Sequence, residues 1–255
     1  MDIIQAIILG IVQGLFEWLP VSSQGQIAGF AISFFGIKAE EALSYAIFLH
    51  IGTLIAATVY FRKELLEIVK GKEEKMRNFL VIALLATGIT ALPSYIFLKS
   101  IAGSGTAILF LTAVMLFVTG FLQRTKNRGK EKEAGLTKKN SIVLGLAQGF
   151  AVLPGVSRSG VTTAALLFEG FKPEEAFRIS FLLSVPSVLA GELVFGLVEG
   201  FAVDVNALVA LVFAFAFGLA SIDALIKLAR KINFSLFCFA FGVLYLLIAA
   251  LAVLG

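Results

Sequence analysis

A carboxylate, a guanidinium and a cluster of hydroxyls stand inside otherwise apolar segments of this chain. They fall in two related stretches, GIVQGLFEWLPVSSQG at residues 10–25 and GLAQGFAVLPGVSRSG at residues 145–160. In the first, Gln13 and Glu17 are four residues apart and share a helix face, and Ser22, Ser23, Gln24 and Gln26 follow Pro20. In the second, Arg158 lies between Ser157 and Ser159, and Gly155 and Gly160 admit tight turns just before a helix beginning near Val161. Such a loop can present backbone N–H groups and a helix N-terminus to an anion. The guanidinium adds a planar fork suited to phosphate oxygens. An ionisable group at membrane depth is costly and faces a cavity or a partner. Glu17 from one stretch and Arg158 with its hydroxyls from the other therefore suit a phosphorylated lipid head group whose tail lies in the bilayer. The plainer alternatives are a structural ion pair between Glu17 and Arg158, and helix capping by Ser22 or Ser23.

The surrounding chain says where this chemistry must sit. With 59% hydrophobic and 15% charged residues, it reads as an all-α polytopic membrane protein rather than a soluble domain. A bilayer core needs about 20 apolar residues per helix. Six segments qualify, at about 42–61, 79–99, 105–123, 176–199, 207–225 and 233–254. Residues 3–36 and 141–171 are apolar but broken near their middles, which predicts two re-entrant helix-loop-helix segments whose breaks are buried or line a wet cavity. Gly10 matches Gly145, Gln13 matches Gln148, Gly14 matches Gly149 and Ser22 matches Ser157, a constant offset of 135, and Glu40 recurs as Glu174. The chain is thus an internal duplication. Residues 1–128 make the first repeat, 129–140 a flexible cytoplasmic linker and 141–255 the second repeat. Three spans separate equivalent points, so the repeat has inverted topology, which places sites where broken helices meet near the midplane. The Lys- and Arg-rich loops at 62–77, 124–139 and 227–231 fall on one side, cytoplasmic by the positive-inside rule, with both termini outside. That distribution answers the +4 net charge without invoking nucleic acid. The N-terminus lacks the features of a removable signal peptide. The single Cys238 reads as a small buried hydrophobe and excludes an intrachain disulfide.

At these residues the chain resembles the undecaprenyl-pyrophosphate phosphatases of the BacA type. The resemblance spans essentially the whole length. It rests on a (Glu/Gln)-x-x-x-Glu element followed by PVSSxGH, matched by Gln13, Glu17 and PVSSQGQ, and on PGxSRSG, matched without change. It implies six spans with two opposed re-entrant regions in the cell membrane. It also implies hydrolysis of a polyprenyl pyrophosphate to the monophosphate at the outer face, with Mg²⁺ or Ca²⁺, recycling the carrier lipid for cell-wall and glycan assembly. By position it makes Glu17, Ser23 and Arg158 catalytic, with Glu17 also the metal ligand. It places Gln13, Ser22, Gln26, Ser157, Ser159, Gly160 and Thr162 around the substrate. Attack would come from Ser23 or from a water oriented by Glu17. The chain departs from the pattern at Gln26, where the family has His; an amide cannot shuttle protons near neutral pH. His50, the one remaining histidine, could take over that role if it faces the cavity, or could be a helix-packing residue. Glu192 is a second carboxylate inside a span, with no motif behind it. The competing class is a polyprenyl-phosphate flippase using the same anion pocket. A homodimer is a possible assembly.

Overall fold

The computed structural model describes residues 1–125, 135–200 and 204–254. Helices α1 (Ile3–Phe16) and α2 (Ser23–Phe35) form the first broken segment. The first span follows as α3 (Ala39–Phe48) and α4 (His50–Tyr60), interrupted at Leu49. Next come α5 (Arg62–Val69), α6 (Glu74–Ile101) and α7 (Gly105–Thr125). The second half repeats the order with α8 (Lys138–Gly149), a 3-10 turn at Phe150–Val152, α9 (Arg158–Phe168), α10 (Pro173–Val198), α11 (Val205–Lys231) and α12 (Ser235–Leu254). Six helical runs are long and apolar enough to cross a membrane, among them Ala39–Tyr60 and Gly105–Arg124. The protein is an all-α, multi-pass membrane protein. Its outward side chains fit that setting: Leu85, Leu197, Leu236 and Leu251 are exposed, where a bilayer would cover them.

The spans lie where apolar run length puts them, with two differences. The basic loop after the first span contains the helix α5, because its Leu65 and Ile68 pack beside Phe79, Leu80 and Phe171 while Arg62, Lys63 and Glu67 stay exposed, an amphipathic pattern. The expected linker at 129–140 is cut short at its far end: Thr137 caps α8 by accepting from the Asn140 N–H at 3.2 Å, so the helix begins at Lys138. Residues 129–134 of that linker, and the repeat boundary at 128, lie outside the described residues.

The duplicated glycines set the packing. Gly10 and Gly14 turn the flat side of α1 onto α11, where a Cβ on Gly14 would stand 2.7 Å from the Gly218 nitrogen. Gly145 and Gly149 do the same for α8 on α6, where a Cβ on Gly145 would stand 2.7 Å from the Ala86 Cβ. Without a hydrophobic driving force between helices in lipid, close backbone approach over small residues is what joins them. Each broken segment is therefore docked on the second span of the opposite half, and α7 packs on α12 across the middle. This exchange brings the two breaks together.

Candidate active site

Four groups at the polar end of the site sit where a helix stops or starts. Glu17 is the C-cap of α1, Ser23 is the first residue of α2, Arg158 is the first residue of α9 and His50 is the first residue of α4. The two helix starts are capped alike. Ser22 accepts from the Gly25 N–H at 3.3 Å, and Ser157 accepts from the Gly160 N–H at 3.1 Å. The capping expected of Ser22 or Ser23 is thus made by Ser22, and Ser157 repeats it in the second copy. Ser22 adopts a left-handed conformation (φ 60°), costing about 1–3 kcal/mol. In return its Oγ also accepts from the Gly155 N–H at 2.9 Å in the other break. Ser159 donates to the Leu19 carbonyl at 3.1 Å. The loops are stitched directly to each other.

Glu17 is the centre of the arrangement. Its Oε1 accepts from Arg158 Nη2 at 2.7 Å; its Oε2 accepts from Ser23 Oγ at 2.7 Å and from Gln13 Nε2 at 3.2 Å. His50 Nε2 lies 3.4 Å from the same Oε2. The expected ion pair therefore exists, but it is one part of a network that includes the hydroxyl. At the offset of 135, Ser23 corresponds to Arg158 and Glu17 to Val152, so the duplication is chemically asymmetric. One copy supplies carboxylate and hydroxyl, and the other supplies the cation. Arg158 also donates to the Ser180 carbonyl at 3.4 Å and lies 5.4 Å from the Phe181 ring centroid. Its Nε has no partner among the described residues. Thr162 donates to the Arg158 carbonyl at 2.6 Å and lies 2.7 Å from Ser180 Oγ. It braces the start of α9 from behind.

These groups form one end of a cavity of about 480 Å³. Glu17, Ser22, Ser23, His50, Ser157, Arg158 and Ser159 line that end. From there the walls are α6, through Leu84, Gly88, Leu92 and Tyr95, and α10, through Ser187, Val188, Glu192 and Val194. The cavity is mostly apolar and runs toward the C-terminal ends of both helices. Two helix N-termini meet its polar end, which favours an anion there.

The remaining expected residues divide. Gln13 is fully buried behind Glu17, which it holds together with Thr53 at 3.1 Å. Gly160 lies within the Ser157 cap, close to Gln123. Gln26, expected beside the substrate, faces elsewhere: its Oε1 accepts from Tyr245 at 3.0 Å and its Nε2 donates to the Val21 carbonyl at 3.2 Å, away from the cavity. Glu192 reaches the cavity, and its Oε2 has no partner among the described residues.

Glu17 Oε1 accepts one hydrogen bond and Oε2 two, and no group of three or more His, Cys, Asp or Glu side chains among the described residues could hold an ion. A carboxylate oxygen with no partner among the described residues is Glu192 Oε2. That suits Mg²⁺, which is commonly bound by one or two carboxylates together with substrate phosphates.

Two features were not anticipated. Gln148, the counterpart of Gln13, lines the cavity and donates to Thr87 at 2.9 Å and Ser187 at 2.8 Å; the duplication itself was the signal for it. At the far end of the cavity, Tyr95 at 2.6 Å and Lys99 at 2.5 Å both donate to Glu199. The Lys99 hydrogen bond foremost holds the Glu199 carboxyl below its ordinary range. No spacing rule connects partners 100 residues apart.

Comparison with known proteins shows the family of the chain. A family model described as bacitracin resistance protein BacA matches residues 6–247. The chain is 44% identical to an undecaprenyl-diphosphatase of Methanococcoides burtonii, over 95% of this chain and 97% of that one. It is 39% identical to one of Methanothrix thermoacetophila over 98% of each chain, and 37% identical to one of Haloarcula marismortui over 94% of each.

Proposed function

Since this chain belongs to the bacitracin resistance protein BacA family, we propose that it is a membrane phosphatase that converts undecaprenyl pyrophosphate, or a closely similar polyprenyl pyrophosphate, to the monophosphate and inorganic phosphate. The observation that carries this is the Ser23–Glu17–Arg158 network at the polar end of an apolar cavity. The isoprenoid lies along the walls formed by α6 and α10, and the pyrophosphate meets Arg158 and the starts of α2 and α9. Arg158 Nε, without a partner among the described residues, is a donor available to phosphate oxygen. Ser23 is the attacking hydroxyl: it already donates to Glu17 at 2.7 Å, the pairing of nucleophile and base that activates a serine. Ser157 and Ser159 position Arg158 and the loop amides, and Gln13 fixes the Glu17 carboxylate. Positioning and charge stabilisation account for most of the acceleration in phosphoryl transfer. A divalent cation shared by Glu192 and the pyrophosphate would neutralise charge on the phosphate oxygens.

The reciprocal docking of α1 on α11 and α8 on α6 supports reading the halves as an inverted repeat. With the basic loops cytoplasmic, the cavity then opens to the outer face of the cell membrane, where such a phosphatase recycles its lipid. The flippase alternative is not favoured, since the relatives above carry the hydrolase's name. The test is phosphate release from undecaprenyl pyrophosphate by the purified protein, with and without Mg²⁺ or Ca²⁺. Release that Ser23→Ala abolishes is expected; a folded protein that moves the lipid between leaflets of vesicles without releasing phosphate would overturn the reading.

A further inference from the structure

We propose that Gly88 on α6 and Gly191 on α10 form the portal by which the polyprenyl chain of the substrate passes from the cavity toward the bilayer, and that their missing side chains set the width of chain accepted. The inference rests on the phosphatase reading and deepens it, assigning a path to the lipid chain where the matched motifs hold the head group.

These two glycines lack the reasons that others in the helices have. Inside a helix glycine is weaker than alanine, so a glycine there needs a cause in packing or conformation. At Gly10, Gly14, Gly52, Gly120, Gly145 and Gly149 an added Cβ would stand less than 3.0 Å from an atom of another helix. Around Gly88 and Gly191 nothing lies within 4 Å of the added Cβ, and neither has a positive φ. Gly88 falls between Leu84 and Leu92 on one face of α6, and Gly191 between Ser187 and Phe195 on one face of α10, each neighbour about one turn away. All six line the cavity. Each wall is therefore notched in mid-helix.

The notches share one stretch between the two helices, and that stretch is framed. On the side of the helix N-termini, Leu80 and Ala83 of α6 join an apolar cluster with Ile179 and Leu183 of α10. Gln148 then forms a crossbar, its Nε2 donating to Thr87 Oγ1 at 2.9 Å and to Ser187 Oγ at 2.8 Å. Thr87 directly precedes Gly88, and Ser187 lies one turn before Gly191. At the far end Tyr95 and Lys99 of α6 tie to Glu199 beyond α10. Between crossbar and tie the two glycines are exposed. Gln148 gives a second sign that this level is occupied. It is 3% exposed and lines the cavity, yet its Oε1 has no partner among the described residues, whereas buried polar atoms are nearly always satisfied. A bound molecule completes such a level. Continuity says which one: the same cavity holds Ser23, Glu17 and Arg158 at its polar end, so a molecule held there by its phosphates and apolar beyond them extends to the glycines. Each unit of an isoprenoid chain carries a methyl branch and a rigid double bond, and the two notches leave room for that width.

The test uses Gly88→Cys or Gly191→Cys in a Cys238→Ser background, purified in detergent and reacted with N-ethylmaleimide. Undecaprenyl monophosphate at about ten times its Kd should slow labelling at both positions about tenfold, and inorganic pyrophosphate should not. Labelling that the lipid leaves unchanged, or that pyrophosphate slows equally, overturns the inference. In turnover of undecaprenyl pyrophosphate, Gly88→Leu and Gly191→Leu should each raise KM by about tenfold or more, the scale on which an apolar site senses an added methylene, with the loss in KM rather than in kcat. Gly88→Ala and Gly191→Ala fill open space, so each should raise the unfolding midpoint, with a smaller rise in KM. Unchanged KM in both leucine variants, a loss confined to kcat, or alanine variants with lowered midpoints overturn the inference. If a leucine variant does not fold, the labelling result decides. Failure of the phosphatase reading is distinct: the unaltered protein would release no phosphate, while the lipid would still protect both cysteines.

Discussion

Neutralising both members of the Glu17–Arg158 pair should separate its structural role from its chemical one. The Glu17 side chain is 7% exposed and that of Arg158 14%, with 2.7 Å between nitrogen and oxygen. For unit charges about 4 Å apart at an effective dielectric of about 20, the attraction is about 4 kcal/mol. This agrees with the roughly 3–5 kcal/mol by which removing one partner of a buried pair destabilises a protein. Glu17→Gln keeps the shape but leaves a guanidinium facing an amide, and Arg158→Gln leaves a carboxylate held by Ser23, Gln13 and His50 alone. Each should lower stability by about 3–5 kcal/mol. The double variant buries no unpaired charge at this site, so its loss should fall short of the sum of the two by at least about 2 kcal/mol, a coupling typical of residues in direct contact. Activity should behave oppositely. All three variants should lose at least about 100-fold in turnover, and the double variant should recover stability without recovering rate. The assay is thermal or denaturant unfolding in detergent alongside phosphate release for the four proteins. Additive stability losses would show that the two charges are not energetically paired, and a double variant that hydrolyses substrate at near the unaltered rate would refute their catalytic placement.

Glu192→Gln should raise the Mg²⁺ or Ca²⁺ concentration needed to stabilise the pyrophosphate-bound protein against heating by about tenfold or more, while leaving stability without cation nearly unchanged; a cation response matching the unaltered protein would remove Glu192 as the ligand. Gly14→Ala and Gly145→Ala each force a methyl into backbone of the facing helix, so each should cost about 1–3 kcal/mol, and unfolding midpoints unchanged in both would show that the glycines do not set the approach. Arg158→Lys keeps the charge and loses the two-armed fork, so turnover should fall with little loss of stability; a well-folded variant with normal turnover would make Arg158 purely structural. Cysteines placed at Lys72 and Asp204 in a Cys238→Ser background should differ in labelling by an impermeant thiol reagent on intact cells, the second reacting and the first not, and the reverse pattern would invert the proposed orientation.

What the sequence determined by itself is local or follows from length. Apolar runs of about 20 residues specify spans because backbone polar groups in lipid must be satisfied within the helix. Pro, Gly and Ser at the breaks specify where helices stop, and Ser22 and Ser157 cap the next helices through the N–H three residues on. The offset of 135 already marked Gln13 and Gln148, Gly10 and Gly145, as equivalent. Which side chains meet was decided only by the tertiary structure. Gln26 was placed by motif position at the substrate, but Tyr245, 219 residues away, claims its amide. Glu17 stood out as a lone carboxylate in an apolar segment, but only the fold shows that Arg158, Ser23 and Gln13 all donate to it. His50 could have been an ordinary packing residue; the break at Leu49 and the docking of α4 beside α1 turn its ring toward Glu17. The reason is physical. A span that is apolar all round carries no stripe announcing which neighbour it will face, so lateral order is set by shape, where glycine lets one backbone approach another. That choice fixes the few polar contacts on which the chemistry depends.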